Sequence, residues 1–307
     1  MPSRTDQILD AAVEAIGGAP REGQVTMARA IEHAFDTGEH LLVQAGTGTG
    51  KSLGYLAPAL AHLHENPRGR VIVATATLAL QAQLANSDIP AALDAAEKVT
   101  GRRATAAILK GRTNYACLHR AIEGTGAEQD SLLGGEVLAE GLRSAKADTA
   151  SVIGAEVVAL REWVQTELDA DGAGDRDDAP THTAAAWAQV SVPVRECLGQ
   201  QCAFFEACFV ERSRETARNS QLVVTNHALL AIDAMHGNSV LPEHDFLVID
   251  EAHELTSRVT GAASHELSPQ QVERVARRCL PLLDDDDLAV EFLDLGDALQ
   301  QALDEAP

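Results

Sequence analysis

Short, nearly continuous apolar runs alternate with helical stretches along most of this chain. The runs Leu41–Ala45, Val71–Thr75, Ala104–Leu109, Gln221–Thr225 and Phe246–Asp250 follow an N-terminal helical segment. Strands that are apolar on both faces are strands covered by helices on both sides, so the pattern predicts a parallel α/β sheet. Between about Asn114 and Asn219 the alternation stops. There Val157, Leu160, Val164 and Leu168 follow the spacing of one helix face, and a turn-rich loop, Asp169–Pro180, interrupts it. This stretch reads as a helical insertion into the α/β domain. From about Leu255 the chain turns helical again, and Ser268 is placed to cap a helix beginning at Pro269. The divisions expected are therefore 1–113 and 220–258 for the α/β domain, 114–219 for the insertion and 259–307 for a further helical region.

Composition adds limits. No apolar run reaches the ~18 residues of a membrane span, and the first twenty residues lack a signal-peptide core, which makes a cytoplasmic protein the expectation. The net charge of −22 argues against a nucleic-acid partner, because phosphate binding rests on lysine and arginine. Its distribution weakens the objection: residues 1–120 hold 12 basic and 11 acidic side chains, and the rest of the chain holds the excess. Part of that excess lies in two runs, Asp169 to Asp178 and Asp284 to Asp287, expected to be solvated. Any DNA path must be local and steeply salt-dependent.

Candidate chemistry starts after the first apolar run, at Ala45-Gly46-Thr47-Gly48-Thr49-Gly50-Lys51-Ser52. A glycine-rich turn between a strand and a helix lets backbone N–H groups converge on phosphates at a helix N-terminus. Lys51 would reach the β- and γ-phosphates of ATP, and the Ser52 hydroxyl would ligate Mg²⁺. The usual first glycine is Ala45 here. Downstream, Phe246-Leu247-Val248-Ile249-Asp250-Glu251-Ala252-His253 is an apolar strand ending in two carboxylates. Asp250 suits Mg²⁺ and Glu251 suits the base that polarises the attacking water, with His253 placed to connect the site to a neighbouring domain.

Four of the five cysteines, Cys117, Cys197, Cys202 and Cys208, fall in or at the start of the insertion, the last three separated by four and five residues. Four thiolates suit either a structural zinc ion, the commoner case, or a [4Fe–4S] cluster. The spacing lacks the C-x₂-C knuckle of zinc ribbons. Cys279 stands outside the group and reads as a small apolar residue.

Together these segments resemble the DinG/XPD type of superfamily 2 iron–sulfur DNA helicase, the DinG branch in particular. The resemblance rests on the P-loop, the Asp-Glu-Ala-His motif, Arg21–Met27 upstream, Ala74–Leu84, and Lys110–Tyr115 ahead of the first cysteine. Thr225–Leu230 after the insertion agrees, and the likeness runs from about Arg21 to the end. It implies a RecA-like P-loop domain interrupted by a mostly helical insertion in which the four cysteines hold a [4Fe–4S] cluster. It implies that Gln24 reads the adenine edge and that the 75–83 region lies against the DNA backbone. Taken alone, that region reads as a strand end and an amphipathic helix. For Asn226 and His227, the readings are a DNA contact, a link to ATP, or strand-end hydrogen bonding. Arg102, Arg103, Lys110, Arg112, Arg212, Arg214 and Arg218 form a candidate phosphate track.

The activity so implied is ATP-dependent 5′→3′ unwinding, with single-stranded DNA or DNA junctions as partners and no membrane. The second motor lobe such helicases need, with its arginine finger, has no counterpart after His253; residues 259–307 are expected to begin a helical arch-like domain of a truncated chain. The alternative is a non-catalytic iron–sulfur nucleic-acid-binding fragment that binds ATP without hydrolysing it alone.

Overall fold

A computed structural model describes residues 2–19, 21–46, 48–124, 147–264, 267–279 and 286–305. Four parallel strands, β1 (Val71–Thr75), β2 (Ala106–Ile108), β3 (Leu222–Asn226) and β4 (Phe246–Ile249), form one sheet in the order β2-β3-β1-β4. Val71 pairs with Leu222 on one side and Phe246 on the other, so the C-terminal ends of β1, β3 and β4 finish along one edge. Ligands of open α/β sheets bind at that edge. All five residues of β1 and of β3 are buried, which explains their unbroken apolar runs.

Helices α1 (Arg4–Ala15), α2 (Glu22–Thr37), α3 (Lys51–Glu65), α4 (Leu78–Gln83) and α5 (Ile89–Thr100) belong to the same layer system. Helix α1 is fixed by a capping box, in which Ser3 Oγ accepts from the Asp6 amide and the Asp6 carboxylate accepts from the Ser3 amide. Its Ile8 and Leu9 are fully buried against α3 and α5. Burial of each such side chain stabilises the fold by about 2 kcal/mol relative to exposure. At the opposite edge of the sheet, the Arg70 guanidinium donates to the carbonyls of Arg218, Ser220 and Glu243, tying the strand entries together.

One expected strand is missing. Leu41–Ala45 has no ladder partner, and Leu42 is 96% exposed. Its apolar composition matches a strand, yet a strand forms only where another offers its edge. Here the segment lies beside α2, lining a cleft of about 640 Å³.

The insertion begins with α6 (Leu118–Glu123) and continues through α7 (Ala147–Asp169), α8 (Ala184–Val190) and α9 (Phe209–Arg218). Val157, Leu160 and Val164 of α7 are buried in a separate core with Trp187 and Phe209, as the helical spacing predicts. In the acidic run Asp169–Asp178, Asp169, Asp171, Asp177 and Asp178 are exposed as expected, while Asp175 is half-buried. Gly174 sits at φ +61° against Phe209, where a Cβ would come within 2.4 Å of the ring. Nearby, Asp175 and Asp177 bind Lys110. Of the other acidic run, Asp284 and Asp285 lie outside the described residues.

After β3 comes α10 (His227–Met235), and after β4 come α11 (Leu255–Ala263), α12 (Pro269–Cys279) and α13 (Asp286–Asp304). The chain divides into two compact units at Val259/Thr260. Within the second, α12 and α13 pack together. Ser268 caps α12 as expected, accepting from the Gln271 amide while the Gln271 side chain accepts from the Ser268 amide.

Candidate functional site

The glycine-rich turn leads directly into α3. Gly48 and Gly50 both adopt φ +78°, and a Cβ on Gly50 would meet Gln24 Nε2 at 2.3 Å. Only glycine suits a left-handed residue so closely approached. Thr47 lies outside the described residues. Lys51, the first residue of α3, reaches across to Glu251, Nζ to Oε1 2.5 Å. That partner holds the Glu251 carboxyl below the usual carboxylate range, against a smaller opposing push from burial.

Asp250 and Glu251 follow β4 directly, at the ligand-binding edge. The Asp250 amide donates to the Ala74 carbonyl at 2.9 Å, continuing the β1–β4 ladder one step past the strand. Asp250 Oδ1 accepts the Glu251 amide at 3.0 Å, and Oδ2 accepts the Tyr55 hydroxyl at 3.3 Å. Burial, reinforced by Asp250, pushes the Tyr55 phenol well up, so it remains a donor. Glu251 itself is left-handed (φ 53°, ψ 44°), a conformation costing an L-residue roughly 1–2 kcal/mol. This turn directs its carboxylate at Lys51. His253 is mostly exposed, with Nδ1 3.4 Å from Glu251 Oε2.

These groups bring one ammonium and two carboxylates into a single patch. Ser52 opens the same helix one residue after Lys51. Gln24 is placed differently from expectation. It is 4% exposed, and its Nε2 donates to the Gly50 carbonyl at 2.8 Å, so it braces the P-loop and does not face outward.

Cys117, Cys197, Cys202 and Cys208 line a single cavity within the insertion, although Cys117 lies 80 or more residues before the others. Cys117 and Cys208 occupy the N-caps of α6 and α9, where unpaired amides favour thiolate. Burial nevertheless pushes the Cys117 thiol up, with Cys208 and Cys202 adding to the shift. Arg112 enters the same cavity with its side chain 9% exposed, donating to Cys197 Sγ at 3.2 Å and Glu211 Oε1 at 3.0 Å. Among the described residues no three His, Cys, Asp or Glu groups already form a close metal-binding cluster. The four thiols that line this one cavity are the donor type that either a zinc ion or an iron–sulfur cluster takes.

Comparison with known proteins bears on the whole arrangement. Residues 25–110 match the DEAD/DEAH box helicase family. The chain is 47% identical over 283 residues to the ATP-dependent helicase DinG of Mycobacterium tuberculosis, covering 91% of this chain and 41% of that protein. It is 35% identical over 265 residues to the ATP-dependent DNA helicase YoaA of Escherichia coli, covering 85% and 37% respectively. A Bacillus subtilis relative, the 3′-5′ exonuclease DinG, is 30% identical over 239 residues, covering 77% of this chain and 23% of its own length. The chain is similar to DinG-type helicases along most of its length. It spans about two fifths of the length of the relatives it matches best among these.

Several residues expected at a DNA surface are held in intramolecular contacts. Lys110 is 6% exposed and lies between Asp175 (2.6 Å) and Asp177 (2.7 Å). Burial alone would lower its amine, but the two carboxylates outweigh it and hold the amine above the ordinary lysine value. Arg112 is engaged in the cysteine cavity, Arg103 by Asp94 and Glu97, Arg212 by Asp171, and Arg214 by Glu211. Arg102 donates to Gln221, whereas the Arg218 side chain is exposed. Lys110 and Arg112 must therefore leave the phosphate track. Gln81 is fully buried, its Nε2 donating to the carbonyls of Leu109 and Val224, and does not face DNA. Asn226 caps α10 by accepting from the Leu229 amide, a strand-end role. The partnerships of Lys110, Arg112 and Gln81 are not legible in sequence, because each partner is remote.

Proposed function

We propose that the chain forms the nucleotide-binding and iron–sulfur portion of an ATP-driven DNA helicase that moves 5′→3′ along single-stranded DNA. The observation that carries this is the meeting of Lys51 with Glu251, 200 residues apart, beside Asp250 at the ligand-binding edge of the sheet. Phosphates of MgATP would take the place of Glu251 on Lys51, with Asp250 and Ser52 holding Mg²⁺. Glu251, once released, would accept a proton from the attacking water. His253 is exposed beside Glu251, suitably placed to meet a neighbouring lobe.

The four thiolates of Cys117, Cys197, Cys202 and Cys208 would hold a [4Fe–4S] cluster, which fixes the two ends of the insertion to each other. Arg112 would donate a hydrogen bond to the Cys197 sulfur, favouring its thiolate form. DNA would bind through Arg218 and through cations released from intramolecular pairs, so its affinity falls steeply with salt.

The opposite wall of the ATP cleft would come from a second motor lobe. An arginine finger from such a lobe is worth roughly 10³–10⁵ in rate. The 307-residue chain alone is therefore expected to hydrolyse ATP barely and to displace no strand from a 5′-tailed duplex. Displacement by this chain, absent in the Glu251→Gln variant, would show that one lobe suffices and would overturn the two-wall reading.

A further inference from the structure

His227 is the first residue of α10, immediately after β3, and is completely buried. Its Nε2 lies 2.9 Å from the main-chain oxygen of Asp250. A carbonyl only accepts, so Nε2 carries the hydrogen and donates it. Its Nδ1, equally buried, has no hydrogen-bond partner. The contact is long-range in topology: β3 and β4 are separated by β1, and the imidazole reaches past the end of β1 to the turn beyond β4. The carbonyl it holds belongs to the peptide that joins Asp250 to Glu251. That peptide has its N–H engaged as well, by Asp250 Oδ1. Both ends of that one peptide are therefore engaged, which restrains the turn that carries the two carboxylates.

We propose that His227 is a positioning residue of the nucleotide site, clamping the Asp250–Glu251 peptide so that Asp250 faces the metal ion and Glu251 faces Lys51. The inference rests on the nucleotide-site reading given above. It assigns a task to an imidazole that touches neither phosphate nor metal, and that no surface role fits. A single buried N–H donor, 2.9 Å from its carbonyl, suits a fixed clamp.

Because the clamp acts on the metal-binding carboxylate, its loss should appear where Mg²⁺ matters. Affinity of the 307-residue chain for ATP is measured with Mg²⁺ and again in EDTA, for wild type, His227→Phe, His227→Asn and His227→Gln. Gln carries an N–H at a reach similar to Nε2, Asn falls short of it, and Phe keeps the ring without a donor. Phe and Asn should lower MgATP affinity about tenfold, the scale of one hydrogen bond. Their affinity in EDTA, which depends on Lys51, should be unchanged, and Gln should retain most of the Mg²⁺-dependent gain. Equal losses with and without Mg²⁺ would mean a merely structural histidine, and wild-type behaviour of Phe and Asn would mean no clamp. Either result overturns the proposal. Lys51→Ala is the separate control: if it binds ATP as wild type does, the nucleotide-site reading itself fails.

Discussion

Lys110 shows most directly how a single side chain joins two parts of this molecule. Its ammonium is 5% exposed, and its partners Asp175 and Asp177 lie beyond α7, 65 or more residues away. Its backbone amide donates to the Tyr115 hydroxyl, which in turn meets Ser213 on α9. Removing one member of a buried pair strands the opposite charge and costs about 3–5 kcal/mol. Lys110→Met keeps the length of the side chain and removes only the charge, so it should lower unfolding stability by about 3 kcal/mol, the lower bound because Asp177 is half exposed. Urea denaturation reads this directly, and an unchanged midpoint would show that the pair contributes nothing. Sequence reading places Lys110 in a phosphate track because it is one of several basic residues flanking the two ends of the insertion. Lys51, Asp250 and Glu251 are legible because each stands at a fixed offset from a strand or helix boundary. The partners of Lys110, Gln24 and His227 are set by tertiary packing, which no local spacing encodes.

Elements were legible in proportion to how far burial on both faces determined them. Val71–Thr75 is a central strand with neighbours on both sides, and its apolar run marks it without ambiguity. Leu41–Ala45 has the same composition but no pairing, because composition reports that a segment suits a sheet and not whether an edge is available. The insertion was readable as helical from the periodicity of α7, whereas the fixed conformation of Gly174 and its acidic neighbours was not. Most of the aspartates in this run are exposed, as a solvated run requires, but Asp175 and Asp177 also hold Lys110, which local spacing does not encode. At this scale the cysteine cavity yields its own test. Protein purified without oxygen should be brown and contain about four iron atoms per chain. Serine at Cys117, Cys197, Cys202 or Cys208 should bleach it, while Cys279→Ser should not. Iron quantification and visible absorption decide the matter, and a colourless protein with one zinc ion per chain would contradict the cluster.

Across the whole molecule, the net charge of −22 coexists with the proposed nucleotide site. The conflict is resolved locally, by a lysine at a helix N-terminus whose ion-pair partner among the described residues is Glu251, which phosphate would replace. Much of the basic complement is engaged internally, at Arg70, Arg103, Lys110, Arg112 and Arg212, where it holds the fold. The fold class follows from the alternation of apolar runs, and the nucleotide site from two motifs joined at the edge of the sheet. The central claim is that Lys51 and the Asp250–Glu251 pair form one MgATP site. Titration calorimetry of MgATP into wild type, Glu251→Gln and Lys51→Ala tests it most directly. Wild type should bind, and Glu251→Gln should bind at least as well, since removing that carboxylate frees Lys51 from its competitor. Lys51→Ala should lose at least tenfold in affinity, as expected for a charge-assisted contact to phosphate, whereas equal affinity for wild type and Lys51→Ala would contradict the account.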